Sequence, residues 1–443
     1  MISPQRRTEL LDALRRGTVP QRSLDAFAVG LDRFEATIDA ELERARQGGT
    51  GFKAVRGEYG SGKTFFVRWL QERAKKQGFA SAEVQVSETE TPLHRLETVY
   101  RRLMERLSTA SVASGAFKSI VDTWFYTLEE DVLASRPELE HEPGPLTREV
   151  STLMEARLGE VARQAPMFAA ALRGYRQCLD SSDLPRAEGL LAWAAGQPNV
   201  SADAKRVAGI RGDVDHFGAL SFLQGLLAML KDSGQSGLVL VLDEVETLQR
   251  VRSDIRDKSL NALRQLMDEV DSGRFPGLYL VLTGTPAFFD GPQGVRRLPP
   301  LAQRLQTDFG ADPRFDNPRA PQIRLPTFDL ERLSLLGTRV RDLYAQGAPA
   351  SDRLRAAVDD EYVRSLASSL AGELGGKVGV APRLFLRKLV ADVLDRVDQF
   401  PDFDPRRHYA LTLDREDLAP EERHARGHES IDDIELDLGG ERA

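Results

Sequence analysis

Two rhythms of apolar residues divide the chain into strands and helices. Residues 238–242, Leu-Val-Leu-Val-Leu, form a continuous apolar run without alternation. That pattern predicts a strand buried on both faces, as in the middle of a parallel sheet. Residues 52–55 and 277–282 predict two further strands. Residues 80–86 alternate, with Ala82, Val84 and Val86 on one face, and predict another. A short fifth strand is expected at 322–325. Helical spacing fills the intervals. Leu10, Leu11 and Leu14 mark a first helix, for which Thr8 is the expected cap, and Phe34, Ile38 and Leu42 mark a second. Leu93, Leu96, Val99, Tyr100, Leu103 and Leu107 mark an amphipathic helix, and Phe217, Leu220, Leu223, Leu227 and Leu230 another. One long helix is expected from just beyond Glu244 to about residue 270. Strands alternating with helices predict an α/β fold with a central parallel sheet.

The spacing of these elements sets the expected domains. Residues 1–50 read as an N-terminal helical segment and 51–326 as the core. Within the core, about 108–215 reads as an all-α insertion, with loops at 136–145 and 197–203. Trp124 and Trp193 are expected in its interior. A Pro-rich stretch, 312–326, leads to a helical lid at 327–400, with helices near 329–345, 359–374 and 382–397. Residues 401–443 form an extension whose last part, from Pro420, is polar and acidic and is expected to be disordered.

Candidate chemistry sits where strands end. Gly57-Glu58-Tyr59-Gly60-Ser61-Gly62-Lys63-Thr64 matches G-x-x-x-x-G-K-[ST] between a predicted strand and a predicted helix. Glycines allow the tight turn that aims several N–H groups at one anion, and the helix adds its positive end. Lys63 suits the β- and γ-phosphates of ATP, and the Thr64 hydroxyl suits Mg²⁺. The strand 238–242 runs into Asp243 and Glu244. A carboxylate at such a tip lies where open α/β sheets bind ligands. Asp243 is the candidate metal ligand and Glu244 the candidate base for the attacking water. The strand 277–282 runs into Thr283-Gly284-Thr285-Pro286, where Thr283 or Thr285 could contact the γ-phosphate or its water. A plain strand-to-loop turn explains the same residues.

Taken together, these motifs resemble the AAA+ P-loop ATPases of the ASCE type, where they are called Walker A, Walker B and sensor 1. Val29-Gly30 resembles the adenine-side box of the Orc/Cdc6-like branch. Gly379-Val380-Ala381-Pro382-Arg383 resembles sensor 2, which implies that Arg383 touches the nucleotide. The resemblance also implies an arginine finger; Arg304 matches best by position, and a surface arginine is an equal reading. More narrowly, residues 14–64 resemble the BrxD ATP-binding proteins of bacterial BREX phage-defence systems. That implies ATP hydrolysis driving conformational change in a complex acting on DNA, as a homo-oligomer or with other defence proteins such as a helicase. A nucleotide-dependent switch with little turnover uses the same residues. A winged-helix DNA-binding domain, common after the lid in Orc/Cdc6-like proteins, does not fit the residues after Gln399, so direct DNA contact by that route is not expected.

Composition narrows the alternatives. One cysteine, Cys178, permits no internal disulfide and fits the cytoplasm. No apolar run approaches the ~20 residues of a membrane span. A net charge of −8 argues against a generally basic surface but leaves room for a local one. No Asn-Lys-x-Asp guanine motif occurs, and no acceptor-binding signature supports a kinase. His424 and His428 have ligand-like spacing within the polar tail, a weak zinc signal.

Overall fold

The computed structural model describes residues 2–373 and 382–412. The chain forms two compact units. One comprises residues 1–32, 57–69 and 325–443; the other comprises 33–56 and 70–324.

The second unit holds the sheet. Its strands are β1 (Gly51–Arg56), β2 (Ala80–Gln85), β3 (Leu238–Asp243), β4 (Leu278–Gly284) and β5 (Gln322–Arg324). Their order is β2-β3-β4-β1-β5, and every pair is parallel. β3 and β4 are buried along their whole length, as their unbroken apolar runs require. β4 therefore lies between β1 and β3. Register aligns Gln85 with Asp243, and Val55 with Thr283, so the C-terminal tips of four strands fall on one edge. Lys53 is a buried cation inside β1. Its ammonium donates to Glu41 at 2.8 Å and to the carbonyls of Ala320 and Pro318 at 2.9 and 3.1 Å, so the charge is paired and its donors are used.

The insertion between β2 and β3 is helical: Phe117–Ser135, Pro143–Gln164, Pro166–Asp180, Leu184–Ala194 and Ala202–Val207. It shares one hydrophobic core with the sheet. Trp124 and Trp193 are buried there; Trp193 meets Phe222 edge-on at 5.3 Å and donates its indole N–H to the Gly212 carbonyl. Cys178 is also buried in this region, and desolvation raises its thiol pKa. The stretch expected as a loop at 136–145 is instead a short 3₁₀ helix, Pro137–His141, running into the start of Pro143–Gln164. Proline tolerates the first helical turn because that N–H has no intrahelical partner.

The first unit joins the chain's beginning to its helical C-terminal part. The helix Pro4–Arg15 is capped by Ser3, not Thr8; Thr8 lies inside it and donates to the Pro4 carbonyl. Arg15 grips Asp395 with two hydrogen bonds, at 2.6 and 2.9 Å, and Tyr344 donates to the same carboxylate at 2.7 Å. The helices Leu330–Ala345 and Asp360–Glu373 lie where the spacing predicts them; the helix expected at 382–397 is helical throughout but changes from α (Pro382–Arg387) to π (Lys388–Leu394) and back to α (Asp395–Gln399), and Ser351–Ala357 is an additional short helix. The tail from Pro420, with His424 and His428, lies outside the described residues, as do Gly379, Val380 and Ala381.

Candidate functional site

In the first unit the glycine loop precedes the helix Lys63–Lys76. Gly60 and Gly62 have φ of 76° and 90°, which side-chain-bearing residues adopt only with strain. A Cβ on Gly57 would stand 2.2 Å from the Ser61 hydroxyl, so that position needs glycine for space. Lys63 is buried and its ammonium donates to the Gly57 and Glu58 carbonyls at 2.8 and 3.3 Å. It also faces the half-exposed Tyr59 ring at 5.1 Å. Ser61 Oγ is buried without a hydrogen-bond partner among the described residues. Thr64 is half-buried in the first helical turn. A left-handed glycine pair, an orphaned hydroxyl, an ammonium and a helix N-terminus together fit a polyphosphate.

Val29 and Gly30 lie in the loop before the helix Asp32–Arg46, and Gly30 has φ of 75°. The adjoining Ala28 carbonyl accepts from Arg339. Arg383 is exposed in the first turn of Pro382–Arg387, and its stem passes Gly17.

In the second unit, the tips of β2, β3 and β4 bring four side chains together. Asp243 is 5% exposed. Its Oδ1 accepts from the Thr283 hydroxyl and, at 3.1 Å, from the Glu244 backbone N–H. That same N–H donates to Thr283 Oγ1 at 3.0 Å. Burial pushes the Asp243 carboxyl up to about 6; the charges of Glu83 and Glu244 act in the same direction, against the Thr283 hydrogen bond. No cation in the protein offsets this charge among the described contacts, so a divalent ion suits the position. Among the described residues no group of three or more His, Cys, Asp or Glu forms a metal centre. One carboxylate and one hydroxyl are instead what Mg²⁺ takes beside phosphates and water.

Glu244 sits at φ 58°, ψ 44°, left-handed for a residue with a Cβ. The turn continues into the short 3₁₀ helix Val245–Gln249, and only then the helix Ser253–Asp271. The expected single long helix is thus two elements, because the left-handed turn at Glu244 leads first into a 3₁₀ segment. Its Oε2 accepts from Gln85 Nε2 at 2.8 Å. Sequence reasoning missed Gln85; the available signal was a polar residue at the last position of β2. Thr285 is buried and precedes the helix Pro286–Asp290, without contact to Asp243 or Glu244 among the described hydrogen bonds. Arg304 pairs with Asp268, and lies 3.9 Å from Asp271. Arg296, eight positions earlier, is exposed with no ion pair among the described residues.

Residues 2–413 match the family of BREX system ATP-binding proteins BrxC/D. The chain belongs to this family. Members of the BrxC/D family are ATP-binding proteins of BREX phage-defence systems, which agrees with the resemblance drawn from residues 14–64. No curated protein is similar enough to match. Membership in this family suggests other proteins of a BREX system as partners. Among the described residues no helix is long and apolar enough to cross a membrane.

Proposed function

We propose that this BrxC/D chain is an AAA+-type ATPase that binds ATP with Mg²⁺ and hydrolyses the γ-phosphate. The supporting observation is the cluster at the strand tips: buried Asp243, Thr283 on its carboxylate, and Glu244 in a left-handed turn beside Gln85. The strand order, with β4 between β1 and β3, also supports the AAA+ reading, since β1 runs directly into the glycine loop.

In this reading the N–H groups of Gly57–Thr64, including those of Glu58, Tyr59, Gly60, Ser61 and Gly62, hold the phosphates, and Lys63 neutralises the β- and γ-oxygens. Thr64 and Asp243 hold Mg²⁺, which supplies charge for the phosphate oxygens. Glu244 accepts a proton from the attacking water. Thr283 fixes the Asp243 carboxylate through its hydroxyl and orients the turn through the Glu244 N–H. Val29 and Gly30 border the adenine, and Arg383 approaches the phosphates from the lid. Arg304 is the candidate arginine finger toward a neighbouring copy; to serve, it must leave Asp268. Turnover then drives conformational change in a defence complex on DNA, in which a homo-oligomer and a helicase are candidate members and the cytoplasm is the site of action.

The test is steady-state phosphate release with ATP and Mg²⁺. Glu244→Gln should bind ATP and release phosphate at least about 100-fold more slowly. Equal rates in variant and wild type would remove Glu244 from the mechanism. One observation favours a second reading, a nucleotide switch with little turnover: Gln85 holds the carboxylate that must take the proton. Phosphate release that stays near background with and without DNA and partner proteins selects that reading.

A further inference from the structure

A second site lies in the sheet-bearing unit, away from the strand tips. A cavity of about 440 Å³ is lined by His94, His216, Lys258, Asn261, Arg264 and Gln265, with Asp257 and Ala262 at its wall. That volume is in the ordinary range for a small-ligand pocket, roughly 300–1,000 Å³. All but one of its lining residues carry polar or charged side chains, and about half of its surface is polar, more than such pockets usually offer. Six residues come from one face of the helix Ser253–Asp271, at spacings that bring 257, 258, 261, 262, 264 and 265 together. The two imidazoles come from two other helix starts. His216 is the first residue of His216–Asp232, and His94 lies just before Leu96–Arg106. Both helices bring the positive ends of their dipoles to the cavity.

Two carboxylates near the cavity are already engaged by other groups. Asp257 is held by the Arg297 guanidinium, and Asp215 is used as the cap of the Gly218 N–H. Arg264 pairs with Asp268 at 3.2 Å and keeps further donors. Lys258 and Arg95 are exposed and have no ion pair among the described residues. His94 records the resulting field. Its pKa is lowered first by burial, then by the charges of Arg95 and Lys258, against the opposite pull of Glu97 and Asp254. Its Nδ1 is buried with no hydrogen-bond partner among the described residues, so none of them offers an acceptor there to stabilise the imidazolium.

We infer that this cavity binds a phosphate group, held by Lys258, Arg264 and Gln265 and by the imidazoles of His94 and His216. A phosphate offers the several acceptor oxygens that this set of donors lacks. Phe217, 72% exposed and edge-on to His216 at 5.4 Å, adds an aromatic face beside the site. That places a nucleobase next to the phosphate if the source is a single-stranded nucleic acid. The other source is a free phosphate compound. The site is independent of the nucleotide reading given above.

The chain has six histidines, few enough for their ring resonances to be assigned by His94→Gln and His216→Gln in a histidine-labelled full chain. Titration with inorganic pyrophosphate should move the His94 and His216 signals along one saturable curve. Lys258→Gln should weaken that curve about tenfold, the loss of one charge-assisted contact, and Lys258→Arg should restore most of it. An eight-nucleotide thymidine strand that produces the same shifts at lower concentration assigns the phosphate to a nucleic-acid backbone; pyrophosphate acting alone assigns it to a free compound. The inference is overturned if both signals stay still up to about 10 mM of either probe. It is equally overturned if Lys258→Gln leaves the curve unchanged.

Discussion

Asp243 makes a prediction with opposite signs for stability and for binding. The carboxyl has a folded pKa of about 6 against an ordinary 3.8. A folded pKa above the unfolded one means the folded state holds its proton more tightly. Ionisation of Asp243 therefore costs nothing well below pH 4 and its full penalty above about pH 7. Two pK units and a fraction correspond to about 3 kcal/mol at pH 8, and to roughly half of that at pH 5. Asp243→Asn keeps an acceptor for the Thr283 hydroxyl and the Glu244 N–H while removing the charge. In EDTA the variant should resist denaturant better than wild type at pH 8, with a smaller gain at pH 5. With ATP and Mg²⁺ the order reverses, because only the carboxylate gains a cation. The assay is a denaturant midpoint series at both pH values, with and without Mg-ATP. A variant less stable than wild type at pH 8 in EDTA shows that the carboxylate is satisfied without metal, and the assignment fails. For the same reason, Mg²⁺ affinity measured by isothermal titration in the presence of ATP should rise as pH increases through about 6.

Other positions give independent checks. Gln85→Ala frees the Glu244 carboxylate; phosphate release should rise several-fold with ATP affinity unchanged, and an unchanged rate means the contact does not restrain the base. Lys63→Ala removes the ammonium from the glycine loop and should weaken ATP binding by about 10- to 100-fold, read by fluorescent-nucleotide displacement. Gly62→Ala forces a Cβ to φ 90°, which costs about 1–2 kcal/mol and should lower nucleotide affinity without altering secondary structure by circular dichroism. Arg304→Ala leaves Asp268 to Arg264. If Arg304 acts on a neighbour, turnover should fall with protein concentration held high while monomeric ATP binding is kept.

The sheet was legible from sequence because burial on both faces imposes its own pattern. β3 and β4 contain no charged residue before Asp243 and Thr283, and Tyr279 is the one residue there with a polar group, so strand and chemistry end at one place. The glycine loop was legible because positive φ at Gly60 and Gly62 restricts the residue type. Contacts between residues far apart in the chain left no such trace. Arg15 meets Asp395 across 380 positions, and Gln85 meets Glu244 across 159. Neither pair belongs to a periodic pattern, so the grouping of residues 1–32 with the C-terminal helices was invisible. Within the insertion, Pro137 and Pro143 read as parts of one loop, yet each opens a helical element. The ambiguity is physical, since proline ends one helix and suits the first turn of the next.

Three features at the strand tips each disfavour folding when taken alone. Asp243 is a buried carboxylate with no cation paired to it among the described residues. Glu244 occupies a left-handed conformation that costs about 1 kcal/mol or more for such a residue. Glu83 and Glu244 add like charge to the same region. Nothing in the packing of β3 requires any of them, because an asparagine at 243 and a glycine at 244 would fill the same backbone more comfortably. A fold that gathers independent local costs at the C-terminal ends of a parallel sheet keeps them for what binds there. A divalent cation with a polyphosphate relieves the first and third at once. The second is the turn that brings the Glu244 carboxylate within 2.8 Å of Gln85 rather than into a helix. If the proposed nucleotide reading holds, the strain at Glu244 and the high pKa of Asp243 share one cause, and relieving either should improve stability while weakening function.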